Sequence, residues 1–198
     1  MNPLQNRIGT VISGIVLAII FIFMLGPTGT INHLEFWVWL HVIVGIAWVG
    51  ILYYFNAIQV PAVGEALADE EPGPAAINKY IAPRALFWFR WAALLTWITG
   101  AMALESLHAA PGSGVVAAFI FAPGFTVIGM GAWLGTIMLF NVWILIWPNQ
   151  QKILGMREAS AEEIAKAKFV ALMASRTNTL LSIPMLLGMT AQGHGLPF

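Results

Sequence analysis

Long runs of apolar residues, separated by short polar or turn-forming segments, set the pattern along this chain. Each run is about as long as the roughly 20 helical residues that cross the hydrocarbon core of a bilayer. Five such runs lie near residues 8–26, 36–58, 86–105, 125–147 and 172–192. This pattern predicts an all-α membrane protein, with a bundle of about five transmembrane helices that forms a single domain over residues 1–198.

Two polar segments between the runs carry further local signals. Residues 62–83 contain Glu65 and the Pro-Gly-Pro run at 72–74, which predicts a solvated connection before the third span. Ser160 is followed three residues later by Glu163. This spacing is typical of a capping box, so a helix is expected to begin here and to run on into the fifth span.

Lysine and arginine residues predict how the bundle is oriented. Loops that remain in the cytoplasm are enriched in these two residue types. In a five-span arrangement the cations in loops and at the termini all fall on one side, namely Arg7, Lys79, Arg84, Lys152, Arg157, Lys166 and Lys168. We therefore expect the N-terminus inside and the C-terminus outside.

Composition narrows the possible chemistry. Hydrophobic residues make up 59% of the chain, charged residues only 9%, and the formal net charge is zero, which excludes a basic surface for nucleic acid. The chain contains no cysteine, so thiolate metal sites, iron–sulfur clusters and covalent attachment of haem are excluded as well. A metal or haem would have to be held by His, Met or oxygen ligands.

His41 is the candidate cofactor ligand, because it is the histidine that falls clearly within a predicted span. Helical spacing puts His41, Gly45 and Trp48 on one face, where the glycine would leave room for a flat macrocycle and the indole would form its edge. A second axial or metal ligand would come from His194, or less well from His108, at the same outer depth. The alternative is a structural histidine that hydrogen-bonds a neighbouring helix.

A second set of polar residues lies toward the cytoplasmic side. Two guanidinium groups with amides beside them suit a small planar anion, and the set comprises Arg90, Arg176, Asn178, Asn141 and Gln150. The alternative is that the two arginines extend to lipid headgroups, since both lie near the bilayer edge.

Several stretches resemble the membrane N-terminal domain of bacterial cytochrome c-linked urate oxidase, also called urate hydroxylase. They are Trp39-Leu-His-Val-Ile-Val-Gly-Ile-Ala-Trp-Val-Gly50, Trp88-Phe-Arg-Trp91 with Trp97 and Gly100, Asn141-Val-Trp-Ile with Trp147-Pro-Asn-Gln150, and Arg176-Thr-Asn-Thr-Leu-Leu-Ser-Ile-Pro184. In that family the membrane domain is thought to take electrons from urate and to pass them to a cytochrome c domain outside the cell membrane. These 198 residues contain no Cys-x-x-Cys-His motif, so the resemblance implies a separate cytochrome c as acceptor.

The resemblance implies an oxidoreductase-like redox protein in the bacterial inner membrane. It would hold haem b at His41 and accept electrons from a small oxidisable substrate, with urate as one candidate. The alternatives are a module that binds or transports an anion without redox chemistry, and a structural subunit of a larger membrane assembly. The lipid bilayer is a partner in each case.

Overall fold

A computed structural model describes residues 2–26, 31–69, 71–107 and 113–197, and all regular structure in these ranges is helical. Six helices are labelled here in chain order: α1 is Arg7–Leu25, α2 is His33–Ala68, α3 is Ile77–Ser106, α4 is Gly114–Phe119, α5 is Thr126–Ile153 and α6 is Ala161–His194. All but α4 are long and apolar enough to cross a membrane, so the five predicted spans are confirmed as helices.

The described chain separates into two compact units, Met1–Asn32 and His33–Phe198. The first unit contains a short 3₁₀ turn, Pro3–Gln5, followed by α1. Asparagine caps both elements, since the side chain of Asn2 accepts from the Leu4 amide and that of Asn6 accepts from the Ile8 amide, each at 2.9 Å. The apolar sequence of α1 continues around the whole helix, as expected for a segment in lipid.

In the second unit, α2 packs along α3, and α5 packs along α6. The core between these helices contains Trp48 and Leu52 from α2, Phe89 from α3, Met138 from α5 and Met185 from α6. Glycine permits the closest approach: a Cβ atom on Gly188 of α6 would lie 2.9 Å from the backbone nitrogen of Gly131 on α5. Small residues at such a contact allow two membrane helices to pack by van der Waals forces.

Three turns of π-helix interrupt the long helices, at Phe55–Gln59 in α2, Ile77–Ile81 at the start of α3 and Asn141–Ile146 in α5. Each is followed within two residues by a proline, namely Pro61, Pro83 and Pro148. Proline has no amide hydrogen and its ring clashes with the carbonyl four residues earlier, so a wider turn before it relieves the conflict. The positions of these π turns therefore have a cause in the local sequence.

The two polar segments of the sequence had different outcomes. The capping box is confirmed, because the Ser160 hydroxyl accepts from the Glu163 amide and the Glu163 carboxylate accepts from the Ser160 amide. The predicted solvated connection at 62–83 was wrong for its first part, since α2 continues to Ala68. Ala66, Leu67 and Ala68 are strong helix formers, and they extend the helix beyond the apolar run.

Candidate functional site

The His41 side chain lies against α3 and is held there by its Nδ1 atom. Nδ1 is 2.8 Å from the carbonyl oxygen of Thr96 and 3.4 Å from the hydroxyl of Thr99. The ring also faces Gly100, where an added Cβ would come within 2.9 Å of the His41 Cε1 atom. A carbonyl oxygen only accepts hydrogen bonds, so this contact favours the tautomer with the proton on Nδ1 and leaves Nε2 as the free nitrogen.

Gly45 and Trp48 share the helical face of His41, and α3 covers that face. A Cβ on Gly45 would lie 3.7 Å from the Thr96 side chain, an ordinary packing distance, so the space beside Gly45 is taken by α3. Trp48 is only 2% exposed and its Nε1 atom has no hydrogen-bond partner in the described part of the chain. The donor chemistry of His41 thus fits a metal ligand, whereas a macrocycle would have to approach from another side than Gly45.

The other predicted ligands are less well defined. His194 is the last residue of α6 and is exposed. His108 lies outside the described residues. Within residues 2–26, 31–69, 71–107 and 113–197 no group of three or more His, Asp or Glu residues is placed to hold a metal ion. Pairing of His41 with His194 therefore stays a prediction.

Two of the predicted substrate residues are brought together. Asn141 of α5 donates from Nδ2 to Oδ1 of Asn178 on α6 at 2.8 Å. Asn178 donates in turn to the carbonyl oxygen of Met138 at 2.9 Å. Asn178 is fully buried and Asn141 is 7% exposed. This pair is a fixed amide bridge between α5 and α6, deep among apolar side chains.

Residues that the sequence analysis missed extend this bridge toward α2. Tyr53 and Ser182 share a hydrogen bond of 2.8 Å between their hydroxyl groups. Asn56 donates to the hydroxyl of Ser175 at 2.8 Å and to the carbonyl of Leu52 at 3.0 Å. The signal was present in α6, where 175, 178 and 182 lie on one helical face, but nothing in the sequence showed which helix faced them.

The three remaining predicted substrate residues do not join the amide bridge through any described contact. The Arg90 guanidinium stacks over the ring of Trp147, with its central carbon 3.7 Å from the ring centroid. Arg176 is exposed on α6, and Gln150 is partly buried near the end of α5. Arg90 is thus stabilised by a cation–π contact that the anion-site interpretation did not include.

Comparison with known proteins bears on the α5–α6 half of this arrangement. Residues 112–198 match the family model described as urate oxidase N-terminal. Over this region the chain is urate oxidase N-terminal-like, as the sequence resemblance predicted. The match includes Asn141, Asn178 and His194, whereas His41 and Arg90 lie before it. No curated protein and no solved structure gives a significant match to the chain.

Proposed function

We propose that this protein is a membrane redox component in which His41 is an axial ligand of b-type haem. It would take electrons from a small oxidisable substrate, with urate as one candidate, and deliver them to a separate cytochrome c outside the bacterial inner membrane. The similarity of residues 112–198 to the urate oxidase N-terminal family supports the substrate class. The contact between His41 and Thr96 supports the ligand.

That contact carries the proposal for the following reason. Histidine ligands of metals commonly donate their other ring nitrogen to a backbone carbonyl or a carboxylate, which orients the ring and fixes its tautomer. His41 has this arrangement, with Nδ1 held 2.8 Å from the Thr96 carbonyl. Nε2 then keeps a lone pair, which is what a neutral imidazole offers to a metal.

A haem held at His41 would supply one-electron redox chemistry. The chain's own residues would orient and shield the ligand: Thr96 fixes the imidazole tautomer, and Gly100 lets the ring lie close to α3. His194, or less well His108, is the proposed second ligand, because both lie toward the outer face in the orientation expected from the lysine and arginine distribution.

A binding module without redox chemistry is the second candidate. The observation that favours it is the buried amide bridge between Asn141 and Asn178, since polar groups inside membrane spans are costly and commonly serve a ligand. This candidate requires no haem. It assigns the function to the α5–α6 side of the protein instead of the α2–α3 side.

An absorption spectrum of the purified full chain tests the proposal. We expect a Soret band and a reduced α band in the wild type and in His33→Ala, the matched control, because His33 is exposed at the start of α2. His41→Ala should lose both bands, and His194→Ala should give a five-coordinate spectrum while His108→Ala changes little. A wild type without haem, or normal haem content in His41→Ala, would refute the assignment and favour the binding module.

A further inference from the structure

The strongest unexplained feature is a buried layer of polar side chains between α2, α5 and α6. We call it the inner polar layer, and it consists of Tyr53, Asn56, Gln59, Asn141, Ser175, Asn178 and Ser182. Three side-chain hydrogen bonds of 2.8 Å run through it, each joining α6 to one of the other two helices. Such bonds alone would make it a structural connection between helices.

Gln59 is the member that a purely structural role does not explain. Its Oε1 atom is buried and has no hydrogen-bond partner among the described residues. A buried acceptor without a donor costs about 1–3 kcal/mol, and such a group in a native protein calls for a water, an ion or a ligand. The other polar side chains of the layer already have partners. Gln59 therefore offers an acceptor to something that is not part of the protein.

The backbone also differs at this layer. Asn56 and Gln59 lie within the π turn Phe55–Gln59, and Asn141 begins the π turn Asn141–Ile146. Both turns reach the same stretch of α6, since Asn56 bonds Ser175 and Asn141 bonds Asn178. Single π turns inside long helices occur frequently at functional sites because they redirect side chains. Two of them at one level place amide groups from two helices around the same part of α6.

Charge determines which class of ligand fits. The inner polar layer contains amides and hydroxyls and no acidic or basic side chain. The nearest predicted cations are engaged or face outward, because Arg90 stacks on Trp147 and Arg176 is exposed. An anion buried among amides alone would lack a countercharge and pay a large desolvation cost. An uncharged ligand with N–H or O–H donors avoids that cost.

We propose that the inner polar layer is a binding site for a small uncharged compound of the amide or lactam class, whose N–H group donates to Oε1 of Gln59. Amide groups pair well with other amides, because each offers a donor and an acceptor in one plane. The proposal does not depend on haem at His41. It differs from the sequence interpretation in placing recognition on amides and hydroxyls rather than on the two arginines.

Two planar probes that differ by one carboxylate test this proposal on the purified full chain. Uracil is uncharged and carries lactam N–H groups, whereas orotate is the same ring with an added carboxylate. Calorimetric titration should show uracil binding to the wild type and to Gln5→Leu, the matched control for an exposed glutamine outside the layer. Gln59→Leu should bind uracil about tenfold more weakly, the effect of one lost hydrogen bond.

Gln59→Leu is expected to fold, because the atom it removes has no partner within the protein. Thermal unfolding of this variant should be at least as resistant as that of the wild type. The proposal is overturned if uracil does not bind the wild type, if Gln59→Leu binds it equally well, or if orotate binds more tightly than uracil. The haem spectrum of Gln59→Leu should match the wild-type spectrum, so failure of this site and failure of the His41 proposal are distinguishable.

Discussion

Gly100→Ala tests whether α3 holds the His41 ring in place. The new Cβ would lie 2.9 Å from Cε1 and 3.0 Å from Nδ1 of His41. Carbon atoms pack without repulsion at about 3.5 Å or more, so the ring has to move by roughly 0.6 Å or weaken its bond to Thr96. Overpacking costs about 1–3 kcal/mol and the hydrogen bond about 1 kcal/mol, while replacing a helical glycine returns about 0.5–1 kcal/mol. We expect a net loss of about 1–3 kcal/mol in the free energy of unfolding.

Gly45→Ala is the matched control, because its Cβ would meet Thr96 at an ordinary 3.7 Å. It should leave stability unchanged or raise it slightly, as expected when a helical glycine is replaced without strain. Unfolding in mixed micelles followed by circular dichroism measures the stability of both variants, and nitrogen NMR of labelled histidine reports the tautomer. Equal stability of the two variants, together with an unchanged Nδ1 resonance in Gly100→Ala, would refute the packing argument.

Three further predictions concern the helix contacts and the orientation. Asn178→Leu removes two buried hydrogen bonds and leaves the Asn141 amide without its partner, so it should lower the free energy of unfolding by about 1–3 kcal/mol in the same micelle assay; an unchanged value would show that the bridge contributes nothing. Gly188→Ala should destabilise by a similar amount of about 1–3 kcal/mol, because the added Cβ meets backbone atoms of α5 at 2.9–3.1 Å, whereas Gly193→Ala meets nothing within 4 Å and is the control. A reporter enzyme fused after Phe198 should be active outside the cytoplasm, because lysine and arginine residues of the loops all fall on the other side; cytoplasmic activity would contradict the five-span orientation.

Much of the secondary structure followed from the sequence, because each signal was local. Apolar runs long enough to cross a bilayer predicted the five long helices, and Ser160 with Glu163 predicted the start of α6. The prolines at 61, 83 and 148 lie directly after the three π turns, so their effect on the backbone could also have been read locally. The excess of His41 over the other histidines as a ligand candidate rested on its position within a span.

The tertiary structure decided which residues meet. Asn141 and Asn178 were both candidates in the sequence, yet their 2.8 Å contact, the bond between Asn56 and Ser175, and the stacking of Arg90 on Trp147 depend on how the helices pack. In a soluble protein an apolar stripe identifies the buried face of each helix. Membrane helices are apolar on both the lipid side and the packed side, so the sequence of one helix does not reveal its partner. Only the packed structure could show that the two π turns face the same part of α6, and that Gln59 is left there without a donor.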